Sequence, residues 1–181
     1  FWIDIVQFKD CSCYACRQGM LAAGLDPSKK EVRRAYGIEV LTRFKKDLTA
    51  FIRRFSNDCT IFYNNGHVGV RERQAKDAFT HFELESIAGG CWGYMHFPVA
   101  VRYARTLGLD CLGMTGKFHT AWGDFHSFKN PAALDYECFR MLALNAKCCV
   151  GDQLHPRGVL CDATYDLIGR TYAEIEKKVR F

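Results

Sequence analysis

Residues 79–98 read Phe79-Thr-His-Phe-Glu-Leu-Glu-Ser-Ile-Ala-Gly-Gly-Cys-Trp-Gly-Tyr-Met-His-Phe-Pro98. The fold turns on whether residues 79–86 form a strand. Strand side chains alternate with period two, so His81, Glu83 and Glu85 share one face while Phe82 and Leu84 take the other. Two carboxylates and an imidazole then point the same way. The strand runs into Gly89, Gly90, Trp92, Tyr94 and His96, a glycine-hinged loop with the aromatic and polar groups that line sugar-binding clefts. Loops at strand ends are where α/β proteins carry their sites. A plainer reading makes one glutamate a salt-bridged structural group and packs the aromatics against protein.

Upstream, residues 1–6 form an apolar run broken only by Asp4, which reads as a buried strand. Asp26-Pro27 starts a basic amphipathic helix reaching about Phe55. Residues 60–63 are β-branched and aromatic and stop in the polar turn Asn64-Asn65-Gly66-His67. The gap to residue 79 leaves room for one short helix near residues 70–76. Downstream, Pro98 starts a helix marked by Phe97, Val101, Ala104 and Leu107 and closed by Gly108. Residues 110–116 are a strand leading to Lys117, His119, Trp122 and Asp124; Asn130-Pro131 caps a helix with Leu134, Cys138, Met141 and Leu142 on one side. Residues 147–151 are the last strand, leading to Asp152 and His155, and a final helix carries Tyr165, Ile168, Tyr172, Ile175 and Val179.

Strand and helix in strict alternation imply an α/β protein with a parallel sheet and its functional groups at the carboxyl edge. A doubly wound sheet that binds nucleotides carries a Gly-x-Gly-x-x-Gly turn, and this sequence has none. A (β/α)8 barrel draws its site from several strand ends at once, which fits Asp4, residues 64–67, Glu83 and Glu85, residues 117–124 and residues 152–155. Five strands cannot close such a barrel. The sequence therefore reads as the C-terminal part of a TIM (β/α)8 barrel, about five βα units, with residues 1–181 a single partial barrel domain and the N-terminal strands missing. A first residue Phe1, in place of Met, fits a segment that begins inside a larger protein.

The 181 residues are 49% hydrophobic and 25% charged, the balance of a soluble globular domain. No apolar run reaches the roughly 18–20 residues of a membrane helix, and no signal segment opens the chain. The net charge of +5 is concentrated in the long helix, where Lys29, Lys30, Arg33, Arg34, Arg43, Lys45, Lys46, Arg53 and Arg54 alternate with apolar positions. A solvated helix face accounts for it, so neither nucleic acid nor membrane is an expected partner. Ten cysteines in a long chain without a secretory signal read as reduced thiols and a cytoplasmic location. Three of them, Cys11, Cys13 and Cys16, form a Cys-x-Cys-x-x-Cys loop whose spacing can wrap a tetrahedral zinc, with a fourth ligand from elsewhere; free thiols are the alternative. No cofactor for catalysis is implied.

The runs at residues 80–86, 90–98, 113–119, Trp122-Gly-Asp124 and 150–156 resemble the hypothetical glycosyl hydrolase 6 family, related to the family 151 α-L-fucosidases. The cysteine loop is similar to the zinc loop of family 42 β-galactosidases, in which a fourth cysteine comes from earlier in the chain. The resemblance implies a glycoside hydrolase, retaining and α-L-fucosidase-like, with a carbohydrate substrate; a homo-oligomer is the expected state of the full-length protein. By similarity to related fucosidases Asp4 is the candidate nucleophile, and as a lone charge in an apolar strand it needs a role or a partner. Glu85, nearer the strand's carboxyl end, is the candidate acid/base, with Glu83 binding a hydroxyl or positioning its neighbour. Trp92 and Trp122 suit stacking on a pyranose; Asn64, His67, His81, His119, Asp152 and His155 are candidate hydroxyl ligands. Lys117 is expected to pair with Glu83 or Glu85. Two other readings compete: a non-catalytic carbohydrate-binding barrel, and a metal-dependent hydrolase, which the lack of His-x-His or His-Glu-x-x-His spacing disfavours.

Overall fold

The computed structural model describes residues 1–178. Along the chain run β1 (Trp2–Ile3), α1 (Tyr14–Ala22), α2 (Lys30–Arg53), β2 (Phe62–Tyr63), a 3₁₀ segment (Val70–Ala78), β3 (His81–Glu85), α3 (His96–Arg105), β4 (Asp110–Gly116), α4 (Pro131–Ala143), β5 (Lys147–Gly151) and α5 (Asp162–Lys178). They form two compact units, residues 1–65 with 70–80, and residues 66–69 with 81 onward. No helix among the described residues is long and apolar enough to cross a membrane.

In the first unit β1 and β2 are parallel, with Trp2 opposite Phe62 and Ile3 opposite Tyr63. The apolar run at residues 1–6 pairs over only two positions, because Ile5 sits at φ 50°, where a β-branched side chain is strained. Asp4 therefore lies beyond the strand and is exposed, which corrects the expectation of a carboxylate buried within it. Backbone bonds from Asn64 N–H to the Ile3 carbonyl (2.8 Å) and from Val6 N–H to the Asn64 carbonyl (2.8 Å) carry the pairing past the break. The helix expected from Asp26 starts later, at Lys30, with no side-chain cap. Asp26 instead accepts from the backbone N–H (2.9 Å) and hydroxyl (2.7 Å) of Ser28, and those bonds hold its pKa below the usual carboxylate range. On the buried face of α2, the Lys45 ammonium lies 5.0 Å from the Phe79 ring centroid and 6.0 Å from that of Tyr63, a cation over aromatic faces. Burial lowers its pKa, against the pull of Glu72.

The second unit holds β3, β4 and β5 side by side in chain order, all parallel, with Glu85 opposite Met114 and Thr115 opposite Val150. Crossovers of one hand that always step to the next strand put their helices on one face. Gly113 shows it directly: a Cβ there would come within 2.5 Å of Met141 Cγ on α4 and 2.8 Å of Phe97 Cε2 on α3, so both helices meet β4 from the same side. Strands β4 and β5 have the bounds expected from sequence, and α4 is capped as expected, with Asn130 Oδ1 accepting from Ala132 N–H at 2.9 Å ahead of Pro131. Helix α3 starts two residues before Pro98. Position Val179 of the expected last helix lies outside the described residues. Phe82, Leu84, Val101, Leu134 and Met141 are fully buried, each worth about 1.5–3 kcal/mol by removal of apolar surface from water.

Lys117, Lys129 and Glu137 are charged residues buried in this unit. Lys129 and Glu137 form an ion pair at 3% and 5% residue exposure, and the Thr115 hydroxyl accepts from Lys129 Nζ at 2.6 Å while donating to Glu137 Oε2. Each ion is costly to bury alone, so the pair stands or falls together. Lys129→Met should destabilise the protein by about 3–5 kcal/mol in urea unfolding, and the double variant Lys129→Met/Glu137→Leu should recover most of the loss. Equal losses in the single and double variants would show that the charges are not coupled.

Candidate functional site

Strand β3 places its functional side chains by simple alternation: His81, Glu83 and Glu85 are half-buried on one face, Phe82 and Leu84 buried on the other. His81 Nε2 and Glu83 Oε1 are 2.9 Å apart, so Glu83 is engaged by its neighbour on the strand face. Glu85 is one step further along, the last residue of the strand and level with Met114.

The loops leaving β3 and β4 abut at this edge. A Cβ at Gly90 would lie 1.8 Å from the Thr120 carbonyl oxygen and one at Gly89 would lie 3.0 Å from that of His119. Only glycine lets two backbones approach this closely. Beyond the glycines, the Trp92 and His96 ring centroids are 6.3 Å apart and those of His67 and His96 are 5.7 Å apart. His67 and Trp92 are therefore brought together, with His96 between them. Sequence reasoning placed His96 in the loop without giving it a role; its spacing of four from Trp92 was the available signal. Burial first, and then the His67 imidazole, lowers the His96 pKa, and its Nδ1 has no partner among the described residues. A neutral imidazole of this kind can donate to or accept from a hydroxyl.

Trp122 is half-buried at the end of this edge. A Cβ at Gly151 would lie 2.2 Å from its Cη2, and one at Gly116 would lie 3.2 Å from its Cζ3, while Phe118 meets the indole edge-on at 5.3 Å. One side of the ring is thus packed on the glycines that end β4 and β5. Lys117 differs from expectation: its Nζ donates to the Phe125 carbonyl at 2.8 Å and lies 4.8 Å from the Phe128 ring centroid, not beside a glutamate. The loop after β4 is tied by Asp124, which accepts from Ser127 (2.5 Å) and Thr120 (2.9 Å) hydroxyls; those bonds lower its pKa. His119 is exposed, with its backbone N–H bound to Ser127 Oγ at 3.0 Å. After β5, Asp152 Oδ1 accepts from Gln153 N–H (2.7 Å) and His155 Nδ1 accepts from Arg157 N–H (3.2 Å), so both side chains help fold their own turn.

In the first unit Asn64, buried at the end of β2, donates from Nδ2 to Asp4 Oδ1 at 3.1 Å, and Ile5 N–H donates to the same oxygen at 2.9 Å. Two donors on one oxygen fix the carboxylate's direction. Asp4 also lines a cavity of about 540 Å³, with Phe8, Cys11, Arg33, Tyr36 and Phe44 among its walls, a volume in the range of ligand pockets. Beside it the thiols of Cys11, Cys13 and Cys16 gather with all three sulfurs within 4.8 Å of one another. The expected loop is partly helix, since Cys13 is the N-cap of α1 and Cys16 lies in its first turn. The Cys16 backbone N–H, then the Cys11 and Cys16 thiols, lower the Cys13 pKa, and Cys16 is pushed up to about 11 chiefly by the Cys11 and Cys13 thiols.

No protein-family model and no curated protein matches the chain. Among solved structures, the alpha-L-fucosidase isoenzyme 2 from Paenibacillus thiaminolyticus is similar to it at 44% sequence identity and a TM-score of 0.92 over 99% of this chain. The chain spans 27% of the length of that protein. Both the fold and the sequence of this chain are thus fucosidase-like over nearly their whole extent.

Proposed function

We propose that the chain forms part of a retaining, α-L-fucosidase-like glycoside hydrolase built on a (β/α)8 barrel, with Asp4 as nucleophile and Glu85 as acid/base. The observation that carries the reading is the 44% identity to a fucosidase across 99% of the chain. The parallel strands in chain order with their helices on one face support the barrel, since a doubly wound sheet reverses strand order and covers both faces. The positioning of the two carboxylates supports the roles. Asp4 is held by two donors at the end of a strand, as an attacking carboxylate must be aimed. Glu85 is closer to the strand's carboxyl end than Glu83, whose Oε1 lies 2.9 Å from His81 Nε2, and that position favours it as the proton donor.

In this mechanism Asp4 attacks the anomeric carbon as Glu85 protonates the departing glycosidic oxygen and that C–O bond breaks. Glu85 then takes a proton from water, which attacks the same carbon and releases Asp4. The step requires a carboxyl separation of about 5–5.5 Å, against about 6.5–9.5 Å for inversion. Asn64, His67, His81, Trp92 and His96 supply hydroxyl donors, acceptors and an aromatic face around the sugar; Trp122 supports the edge from beneath. A structural zinc fits the chemistry of the Cys11, Cys13 and Cys16 thiolates: tetrahedral bonds of about 2.3 Å place sulfurs about 3.8 Å apart, inside the observed cluster. A fourth ligand would complete it.

Activity of the protein that carries this sequence on an activated aryl α-L-fucoside tests the roles. Asp4→Ala should lower turnover by about 10³-fold or more. Glu85→Ala should keep cleavage of the activated substrate, slow the second step, and regain rate with added azide, while losing unactivated substrates. If Glu83→Ala shows that pattern and Glu85→Ala does not, the acid/base is Glu83; if neither changes turnover, a non-catalytic carbohydrate-binding barrel is the correct reading. Elemental analysis should find one zinc per chain, and its chelation should lower the melting temperature; a metal-free preparation of unchanged stability would exclude the zinc.

A further inference from the structure

Behind β3, on the helix side of the sheet, two buried polar atoms have no hydrogen-bond partner among the described residues: Ser86 Oγ and Glu137 Oε1. The residues are 2% and 5% exposed. Both line the same small cavity, which has about 10 Å³ of room for a water molecule's centre and is walled by Phe97, Pro98 and Met141. That is the space one water needs, and little more. The other oxygen of Glu137 is already taken by Lys129 and Thr115, so Oε1 is an acceptor left without a partner in a residue that lines the same water-sized cavity as Ser86. Tyr94 and Tyr136, edge-to-face at 5.5 Å, stand at the mouth. An unsatisfied buried carboxylate oxygen is costly, and a water that accepts from Ser86 and donates to Glu137 removes the cost for both groups.

We propose that a single ordered water bridges Ser86 Oγ and Glu137 Oε1, and that through it the Lys129–Thr115–Glu137 cluster positions the carboxyl end of β3 and so aims Glu85. Ser86 directly follows Glu85, and its own backbone N–H donates to the Met114 carbonyl at 2.7 Å. Its side chain points away from that of Glu85 by strand alternation. Backbone pairing on one side and the water on the other then fix the peptide that carries the acid/base. Ser86 and Glu137 are positioning residues, acting through Glu85, and this half of the proposal rests on the role given to Glu85 above.

Two measurements test it on the protein that carries this sequence. A crystal structure should show one density peak within about 3 Å of both Ser86 Oγ and Glu137 Oε1, lost in Ser86→Ala; an empty cavity, or a Ser86 hydroxyl bound elsewhere, overturns the water. In kinetics, Ser86→Ala should lower kcat about tenfold on an unactivated alkyl glycoside, with KM unchanged, and leave an activated aryl glycoside nearly untouched, because a misplaced acid matters only when the leaving group needs a proton. Equal losses on both substrates overturn the positioning role. If Glu85→Ala itself shows no dependence on the leaving group, the assignment of Glu85 falls, while the crystallographic result still decides the water.

Discussion

Parallel pairing is the constraint from which the rest follows. A strand can run parallel to its neighbour only if the chain returns over the sheet, and each return here is a helix with its loops: α3 between β3 and β4, α4 between β4 and β5. Every strand therefore ends at one edge, and the loops after β3, β4 and β5 crowd together there. Gly89 and Gly90 exist at the crowding point because a side chain would strike the carbonyls of the next loop. The same crowding seats Trp122 on Gly116 and Gly151, so the residue types at this edge answer to packing before chemistry.

A second constraint on this edge is electrostatic. Burying Lys129 and Glu137 between the sheet and α4 has a desolvation cost that only mutual pairing and the Thr115 hydroxyl offset. Such a cluster contributes little net stability, but it has one geometry of low energy. Thr115 lies on β4 and Glu137 on α4, while Lys129 precedes the Asn130 cap of that helix. Placed there, the cluster ties the start of α4 to the carboxyl end of β4, next to the strand that carries Glu83 and Glu85.

How much of this was legible in the sequence follows the range of each signal. Strand β4, strand β5 and the Asn130-Pro131 cap were readable because alternation and capping are local. The cysteine cluster was readable because its members are two to five positions apart; that α1 begins within it was not, since cysteine says little about helix propensity. The first strand was overestimated, because apolar residues 1–6 look continuous while the positive φ of Ile5, which breaks the strand, leaves no mark in the residue pattern. Glu137 reads as one more polar position on an amphipathic helix, and nothing local reveals that Lys129 and Thr115 meet it in the interior. That Trp122 packs on Gly151 was not readable, because the two are brought together only by the pairing of β4 with β5.

The central claim is that Asp4, an exposed carboxylate held by Asn64 and Ile5, performs the nucleophilic step. The most direct measurement is covalent trapping: incubation of the protein that carries this sequence with a 2-deoxy-2-fluoro-α-L-fucosyl fluoride, then peptide mapping by mass spectrometry. A single fluorofucosyl adduct on Asp4 is the result this account predicts. A stoichiometric adduct on another carboxylate, or inverted product stereochemistry with no adduct at all, would contradict it.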